Sequence, residues 1–383
     1  MFSLNRLGTL RGRRLIGLAA GVCFAVLLVA IGSRYLATSS IAAETKRDTS
    51  LLQEAQSVFE PLPKSFATAT FPTTPERVEL GRKLFFDPRI SVDGTVSCSR
   101  CHLAGLQGTD GLQFPHGAHD KVLPRNAPTL FNTAVQFRQH WRGDFENVEE
   151  QAKAALLAMG FANPNYAAAM AKVAAIPGYE ALFRDAFPNQ SNPITEDNWG
   201  TAVGAYERTL VSRARFDDYL AGKAEALSLT EREGLRTFLD VGCADCHRGA
   251  GIGGGSFEKF GVVADYAPLT GSKHVDQGRF DLTKRPEDKY VFKVPILRNV
   301  ALTPPYFHDG SVAPLSEAIR VMAKVQLGDD LTDVQIEKIE AFLKSLNGEM
   351  PESYIETPIL PTAAFNPAPS STTSASKGRS AND

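Results

Sequence analysis

Two short strings of one type constrain this chain more than any other feature of its sequence. They are Cys98-Ser-Arg-Cys101-His102 and Cys243-Ala-Asp-Cys246-His247. Two thiols separated by two residues can form thioethers with the two vinyl groups of a haem, and the histidine that follows can bind the iron, so the pattern is typical of c-type haem attachment. A structural zinc site needs four ligands in one place, and two distant Cys pairs do not have that spacing. The sequence therefore predicts two covalently bound c-type haems.

The chain around these strings repeats itself. Asn126-Ala-Pro-Thr-Leu-Phe-Asn132 resembles Lys293-Val-Pro-Ile-Leu-Arg-Asn299, and His140-Trp-Arg-Gly-Asp144 resembles Phe307-His-Asp-Gly310. The separation in sequence from Pro128 to Gly143 equals that from Pro295 to Gly310. Equal spacing with matching flanks indicates two homologous domains, each carrying one Cys-x-x-Cys-His site.

Helical patterns dominate the sequence and alternating β patterns are scarce. Apolar periodicity predicts helices starting near Pro75 and over Glu150–Met159, Asn165–Ala175, Glu196–Val211, Thr230–Leu239, Leu315–Met322 and Thr332–Leu346. Capping boxes are predicted at Thr230-Glu233 and Thr332-Gln335. We therefore predict a mainly α fold with two cytochrome c-like domains, over 45–225 and 226–350. From Pro351 onward the chain has no apolar period, which predicts a disordered tail over 351–383.

Residues 1–44 predict export. Leu15–Ser33 carries no charge and follows several arginines, which orients such a run with its N-terminus in the cytoplasm. The run exceeds the roughly 7–15 residues of a cleavable signal and favours an inner-membrane anchor over 15–33. Cleavage after Ile41-Ala42-Ala43 is the alternative, and either route places the body in the periplasm. A formal net charge of -2 excludes a nucleic-acid binder driven by bulk basic charge.

The repeat predicts two unequal haems. Met322 lies on a predicted helix in the second half, and its counterpart in the first half is Ala155, which cannot bind iron. His247 and Met322 would make a six-coordinate electron-transfer centre of raised potential. The His102 haem lacks that methionine and must be open or capped by a movable group.

Three side chains of the first half are candidates for that cap. His116 and His119 lie in a glycine-rich loop, and Met159 follows the predicted helix. The loop histidines are better candidates for a displaceable cap than Met159, whose ordinary role would be helix packing. Each histidine could equally be a solvated loop residue, since metal binding is only one role of histidine.

Taken together, these residues resemble the bacterial dihaem cytochrome c peroxidases and their relatives that mature a protein-derived tryptophylquinone. The resemblance covers roughly residues 72–347 and rests on Cys98–His102, the His116-Gly117 loop, Pro124-Arg-Asn-Ala-Pro-Thr129, His140-Trp-Arg-Gly143, Cys243–His247, Lys293–Asn299, Thr303-Pro-Pro-Tyr-Phe-His-Asp-Gly310 and Met322. It implies that the first haem is the peroxidatic one and that His116 blocks it until the second haem is reduced. It also implies that Met322 binds the second haem.

The resemblance implies further site residues. Trp141 would lie between the haems and aid electron transfer. A calcium ion at the domain junction would be held by Asn126, Thr303 and Pro305, through an amide oxygen and backbone carbonyls, which are suitable hard ligands. Dimerisation is common in the family, so a homodimer is a further expectation.

One departure from the family pattern concerns the distal acid-base group of the first haem. The family has Glu-Met-Gly where this chain has Ala158-Met159-Gly160. A carboxylate there would move a proton between the two peroxide oxygens, which alanine cannot do. Glu146, Glu149 and Glu150 are nearby in sequence, but we expect them to be solvated helix charges. Peroxidase activity would then be weak or redirected.

The sequence thus predicts an enzyme that reduces hydrogen peroxide to water at the His102 haem. Electrons would enter from a small cytochrome c or a cupredoxin at the His247/Met322 haem and pass near Trp141. One alternative is oxidation of aromatic side chains in a protein substrate. In the quinone-maturing relative a tyrosine binds the second haem, so Met322 argues against this alternative, whereas the missing glutamate favours it. Another alternative is a non-catalytic electron-transfer cytochrome with two six-coordinate haems.

Overall fold

The computed structural model describes residues 48–362. Residues 58–362 belong to one compact unit, and residues 48–57, which are helical, belong to a separate one. Between residues 48 and 362, no helix is long and apolar enough to cross a membrane. The predicted anchor over 15–33 lies outside the described residues.

Most of the regular structure is helical, as predicted. The helices are α1 (48–58), α2 (Pro75–Phe86), α3 (Cys98–Cys101), α4 (Val148–Ala155), α5 (Tyr166–Ala175), α6 (Tyr179–Ala186), α7 (Glu196–Glu207), α8 (Arg215–Leu220), α9 (Leu229–Asp240), α10 (Ala267–Thr270), α11 (Phe280–Thr283), α12 (Leu315–Met322), α13 (Asp333–Lys344) and α14 (Glu352–Ile355). Two short strands, β1 (Phe257–Lys259) and β2 (Val291–Lys293), pair antiparallel.

A close crossing of two helices organises each half of the chain. Helix α2 packs on α7 in the first half, and α9 packs on α13 in the second. A Cβ atom on Gly81 would lie 1.9 Å from the Ala202 carbonyl oxygen, and one on Gly234 would lie 1.9 Å from that of Lys338. Only glycine therefore allows either pair of helices to approach this closely.

Aromatic rings fill the same place beside both crossings. Four residues after the first glycine, Phe85 meets Tyr206 edge-on with ring centroids 5.5 Å apart. Four residues after the second, Phe238 meets Phe342 at 5.2 Å. All four rings are buried. The two halves therefore share one packing scheme.

The turns of the sequence repeat also have the same backbone in both halves. The isolated bridge between Gln139 and Phe145 corresponds to the one between Tyr306 and Val312. Short 3-10 turns at Thr133–Val135 and Val300–Leu302 occupy matching positions. Each follows an asparagine in the left-handed region, with φ of 62° and 63°. The repeat is thus present in the fold as well as in the sequence.

One predicted capping box lies elsewhere. Helix α9 begins with Ser228 as its N-cap, and Glu231 completes the box by accepting from the Ser228 backbone N–H at 2.8 Å. Glu231 also pairs with Arg215 on α8, so a contact between helices fixes the start of α9. Thr332 and Gln335 form the predicted box of α13.

Residues 351–362, which composition placed in a disordered tail, are ordered. The α14 residue Tyr354 is 1% exposed and packs edge-on against Phe131 with centroids 5.1 Å apart. Its hydroxyl donates to the His102 carbonyl oxygen. One buried aromatic side chain therefore attaches this segment to the first half, a contact that low periodicity does not reveal. Residues 363–383 lie outside the described part of the chain.

Candidate active site

One cavity of about 730 Å³ brings the two Cys-x-x-Cys-His strings together. Its wall includes the two cysteines and the histidine of each string, and its volume lies within the roughly 300–1,000 Å³ of ligand and cofactor sites. Among the described residues, none of the four string cysteines forms a disulfide bond. Burial raises the pKa of the Cys101 thiol to about 11 and that of Cys243 to about 12. All of the predicted attachment atoms therefore border the same space.

Carbonyl oxygens orient both histidines. His102 Nδ1 lies 2.8 Å from the Gly108 carbonyl oxygen, and His247 Nδ1 lies 3.3 Å from that of Ile252. Metal-binding histidines commonly donate their second ring N–H to such a carbonyl. A proton on Nδ1 leaves Nε2 of each ring as the free nitrogen, which is the state that an iron ligand needs.

The prolines of the sequence repeat reinforce this arrangement. The Pro128 carbonyl interacts with His102, and the Pro295 carbonyl interacts with His247. Burial lowers the pKa of His102, and it lowers that of His247 to about 4. Both rings are therefore neutral near pH 7, as metal ligation requires. In each half, the carbonyl group of the repeated proline thus contacts the histidine of the Cys-x-x-Cys-His string.

Two buried N–H groups along the cavity test whether the wall fits a haem with its carboxylate side chains. His308 is 2% exposed, is stacked on Phe292 at 4.3 Å, and has no partner for Nε2 among the described residues. Arg142 Nε also has none there. Both residues line the cavity. Unpaired buried donors are costly, and a haem propionate would satisfy such groups, so the residues present fit the cofactor.

Met322 lies at the end of a helix beside the cavity, and its role as an iron ligand stays a prediction. It is the last residue of α12, and a π-helical turn, Ala323–Leu327, follows it directly. Such π turns often occur at functional positions. Met322 lines the cavity, and its counterpart Ala155 lines it too. The two halves therefore present a thioether and a methyl group at equivalent positions.

The loop histidines lie outside the cavity. His116 Nδ1 is 2.7 Å from Asp120 Oδ1, and its side chain is 38% exposed. His119 is 69% exposed and lies 3.6 Å from Asp93. Neither is among the residues that line the cavity, although Pro115 is. The structure does not bring either side chain to the position of a haem cap, and capping by His116 stays a prediction.

Ala158, Met159 and Gly160 line the cavity, as the family comparison predicts for a distal segment. Among the nearby acidic residues, Glu146 and Glu150 are exposed, as expected. The prediction for Glu149 is wrong. It is 7% exposed and accepts two hydrogen bonds from Arg208, at 2.6 and 3.0 Å. The ion pair lies on the face where α4 packs on α7, which the helix pattern alone did not indicate.

The sequence did not single out two further cavity residues. Glu207 is 3% exposed, and burial together with Glu149 raises its pKa to about 8. His140 lines the cavity beside Trp141. Glu207 belongs to no recognisable motif, because it is one polar residue in the helical sequence of α7. His140 is part of the repeat motif, but its second-half counterpart Phe307 has no polar group. The repeat therefore did not indicate a chemical role for His140.

Trp141 and the predicted calcium ligands all line the cavity. Trp141 Nε1 donates to the Asn126 carbonyl oxygen at 2.9 Å, and its ring meets His308 edge-on at 6.4 Å. Thr303 and Pro305 line the same cavity. No group of three or more His, Cys, Asp or Glu side chains within 48–362 could hold a metal. The predicted calcium ligands contain none of these residue types, so the calcium site stays a prediction.

The mainly helical structure, with its two similar halves beside a shared cavity, is consistent with a cytochrome c-like fold. The family model "Di-haem cytochrome c peroxidase" matches residues 75–225. The cytochrome c551 peroxidase of Pseudomonas aeruginosa is 38% identical over 88% of this chain and 96% of its own length. The methylamine utilization protein MauG of Methylorubrum extorquens is 32% identical over 78% of this chain and 84% of its own length.

A solved structure agrees with these matches. A MauG-like protein associated with microbial copper homeostasis is 30% identical, with a TM-score of 0.68, over 78% of this chain and 97% of its own. The chain therefore belongs to the di-haem cytochrome c peroxidase family, which includes the MauG proteins, and it is an enzyme of that class.

Proposed function

We propose that this chain is a periplasmic peroxidase that reduces hydrogen peroxide to water with electrons from a small cytochrome c or a cupredoxin. The observation that carries the proposal is the single cavity shared by both Cys-x-x-Cys-His strings, Trp141 and Met322. A shared cavity allows a substrate reaction at one centre and electron entry at the other.

The proposed attachment residues divide between the two halves. Cys98 and Cys101 hold the first haem in domain 45–225, with His102 as its iron ligand. The second haem, in domain 226–350, is attached through Cys243 and Cys246. Its iron ligands are His247 and Met322. The carbonyl contacts of both histidines support this assignment. The haems, when bound, supply the redox chemistry.

The protein contributes orientation and exclusion of water. Apolar surface makes up most of the cavity wall. Trp141, which its hydrogen bond to the Asn126 carbonyl fixes on that wall, is the proposed contact for electron transfer. Calcium held by Asn126, Thr303 and Pro305 would fix the same wall. Chelation should then slow peroxide turnover, and added Ca²⁺ should restore it.

A direct test poises the full-length holoprotein half-reduced, adds hydrogen peroxide and reduced cytochrome c, and follows donor oxidation together with the haem spectrum. Saturable donor oxidation supports the proposal. A persistent oxidised spectrum with little donor turnover favours oxidation of protein aromatic side chains, the alternative for which Ala158 is the supporting observation. No reaction with peroxide at either centre leaves an electron-transfer cytochrome.

The methionine ligand can be tested separately. Met322→Leu should abolish the methionine-ligated spectrum of the second centre and lower its potential, because leucine cannot bind iron. Met170, which is 7% exposed in the core of the first half, is a matched control, and Met170→Leu should leave the spectrum unchanged. An unchanged spectrum in Met322→Leu would show that another group binds the second iron.

A further inference from the structure

Peroxide cleavage needs a group that moves a proton from one oxygen to the other, and Ala158 cannot do this. We infer that His140 is the proton-transfer residue at the His102 site, in place of the family's carboxylate. The inference rests on the proposed peroxidase function. It concerns a residue of this chain that neither the repeat nor the family pattern assigns to catalysis.

The other acidic side chains along the cavity are poorly suited to this task. Asp144 is paired with Arg142. Glu207 has its pKa raised to about 8, so it holds its proton near pH 7, and it is close enough to Cys98 to raise the pKa of that thiol. Glu258 lies on β1 and influences Cys246 in the second half. His140 is therefore the remaining candidate in the first half.

The fold holds the His140 ring in a defined orientation. The bridge between Gln139 and Phe145 closes the turn, and the ring meets Phe145 edge-on with centroids 5.0 Å apart. Its Nδ1 atom lies 3.9 Å from Asp144 Oδ2. A carboxylate on the Nδ1 side leaves Nε2 as the nitrogen available to a substrate in the cavity, which His140 lines.

The position is specific to the first half. Phe307 occupies the equivalent turn in the second half, and both residues have left-handed backbones, with φ of 66° and 72°. The backbone conformation therefore belongs to the turn and not to the histidine. What differs at this position is the side chain, an imidazole in the first half and a phenyl ring in the second, and both line the cavity.

The surroundings of the ring keep it neutral. Burial, with a smaller contribution from the positive charge of Arg142, lowers its pKa to about 4, against the opposing effect of Asp144. The ring lines the cavity, so a small molecule bound there can reach it. A neutral imidazole near pH 7 is the form that accepts a proton.

Nε2 of His140 takes the proton from one oxygen of hydrogen peroxide and delivers it to the other, the O–O bond breaks, and the second oxygen leaves as water with the bonding electron pair. The remaining oxygen takes two electrons from the redox partner and two protons from solvent to give the second water. Asp144 acts as a positioning residue through its negative charge, which favours the proton on Nδ1 of the neutral ring.

The test compares His140→Phe, which copies the second-half residue, with His274→Phe, the same change at an exposed position. We expect His140→Phe to slow donor oxidation by about 10²–10⁴-fold, with haem content and the resting spectrum unchanged. His274→Phe should leave turnover unchanged. Adding Ala158→Glu to His140→Phe should restore at least part of the lost rate, since it returns the family's carboxylate to the cavity wall.

A second readout does not depend on turnover. Hydrogen cyanide must lose a proton when it binds ferric haem, so its association rate reports the same base. His140→Phe should slow cyanide association and remove its pH dependence, and Asp144→Asn should shift that dependence. If the wild-type protein ignores peroxide, the proposed function fails, but cyanide association still tests His140.

Two outcomes would overturn the inference. Wild-type rates of donor oxidation and cyanide association in His140→Phe would show that the ring moves no proton. A change of the resting first-haem spectrum in His140→Phe and also in His140→Gln would show that His140 is an iron ligand in the resting protein.

Discussion

Replacing Asp217 by asparagine should destabilise the protein strongly. Asp217 is 1% exposed and Arg298 is 0% exposed, and the two form a bidentate pair with distances of 2.7 and 2.9 Å. The same carboxylate accepts the backbone N–H groups of Leu62, at 2.7 Å, and Ala214, at 2.8 Å. Both oxygens therefore accept two hydrogen bonds each.

Asparagine replaces one of the two carboxylate oxygens by an NH₂ group. That group is a donor, and it would face the N–H donors that the oxygen accepts from. Arg298 would also lose the negative charge that balances it. Removing one partner of a buried ion pair costs about 3–5 kcal/mol, which is a large share of the roughly 5–15 kcal/mol that stabilises a typical protein. We expect Asp217→Asn to lose stability in this range.

The neighbouring residue provides the control. Asp218 pairs with Lys223 at 3.0 Å, but its side chain is 49% exposed and that of Lys223 is 61% exposed, and exposed pairs contribute about 0–1 kcal/mol. Urea unfolding of the holoprotein, followed by tryptophan fluorescence and haem absorption, measures the free energy of unfolding that each of the two variants loses. The reasoning is refuted if Asp217→Asn costs no more than Asp218→Asn.

Arg298 also connects the pair to the second site. Its Nε donates to the Ala250 carbonyl oxygen at 2.9 Å, in the loop whose Ile252 carbonyl lies against His247. We therefore expect unfolding of Asp217→Asn, when followed by the absorption of the second haem, to begin at lower urea than that of Asp218→Asn.

Two further predictions concern the helix crossing and pH. Gly234→Ala should destabilise the second half by about 1–3 kcal/mol or more, because the methyl group would overlap the Lys338 carbonyl. In thermal melts Gly105→Ala, whose methyl group meets nothing within 4 Å, should match wild type, and equal losses would contradict the packing argument. Glu207 has its folded pKa raised to about 8 from 4.5, so the folded state binds the extra proton between these values. Stability should therefore fall as pH rises from about 5 to 8, by up to about 1.4 kcal/mol per unit. Glu207→Gln should flatten this slope in urea melts, and an unchanged slope would assign it to another group.

Much of the helical structure could be predicted from local signals. Helix α12 spans the predicted Leu315–Met322, and α5 begins after the predicted Asn165, which caps it by accepting from the Ala168 N–H at 2.8 Å. Caps and apolar periodicity act within a few residues, so the sequence displays them. The observed start of α9 differs from the predicted one because Glu231 of its capping box pairs with Arg215 on another helix.

The errors in the site come from contacts between residues distant in sequence. Glu149 and Arg208 are separated by 59 residues and form a buried pair, so neither helix alone indicates that the charge is buried. Tyr354 reaches the His102 carbonyl across 252 residues. Such pairs depend on how helices are placed against one another, which periodicity does not specify.

The duplication explains how one scaffold can carry two different centres. The turn geometry, the glycine crossings and the proline carbonyls behind each histidine are kept in both halves. Three equivalent positions on the cavity wall differ: His140 against Phe307, Trp141 against His308, and Ala155 against Met322. Because the turn that carries the first two pairs has the same backbone in both halves, those two differences act through side-chain chemistry. A thioether in one half and an imidazole over an open position in the other are the changes that would separate an electron-transfer centre from a proton-moving one. Exchanging residues between the halves should therefore alter ligation and proton transfer without altering the fold.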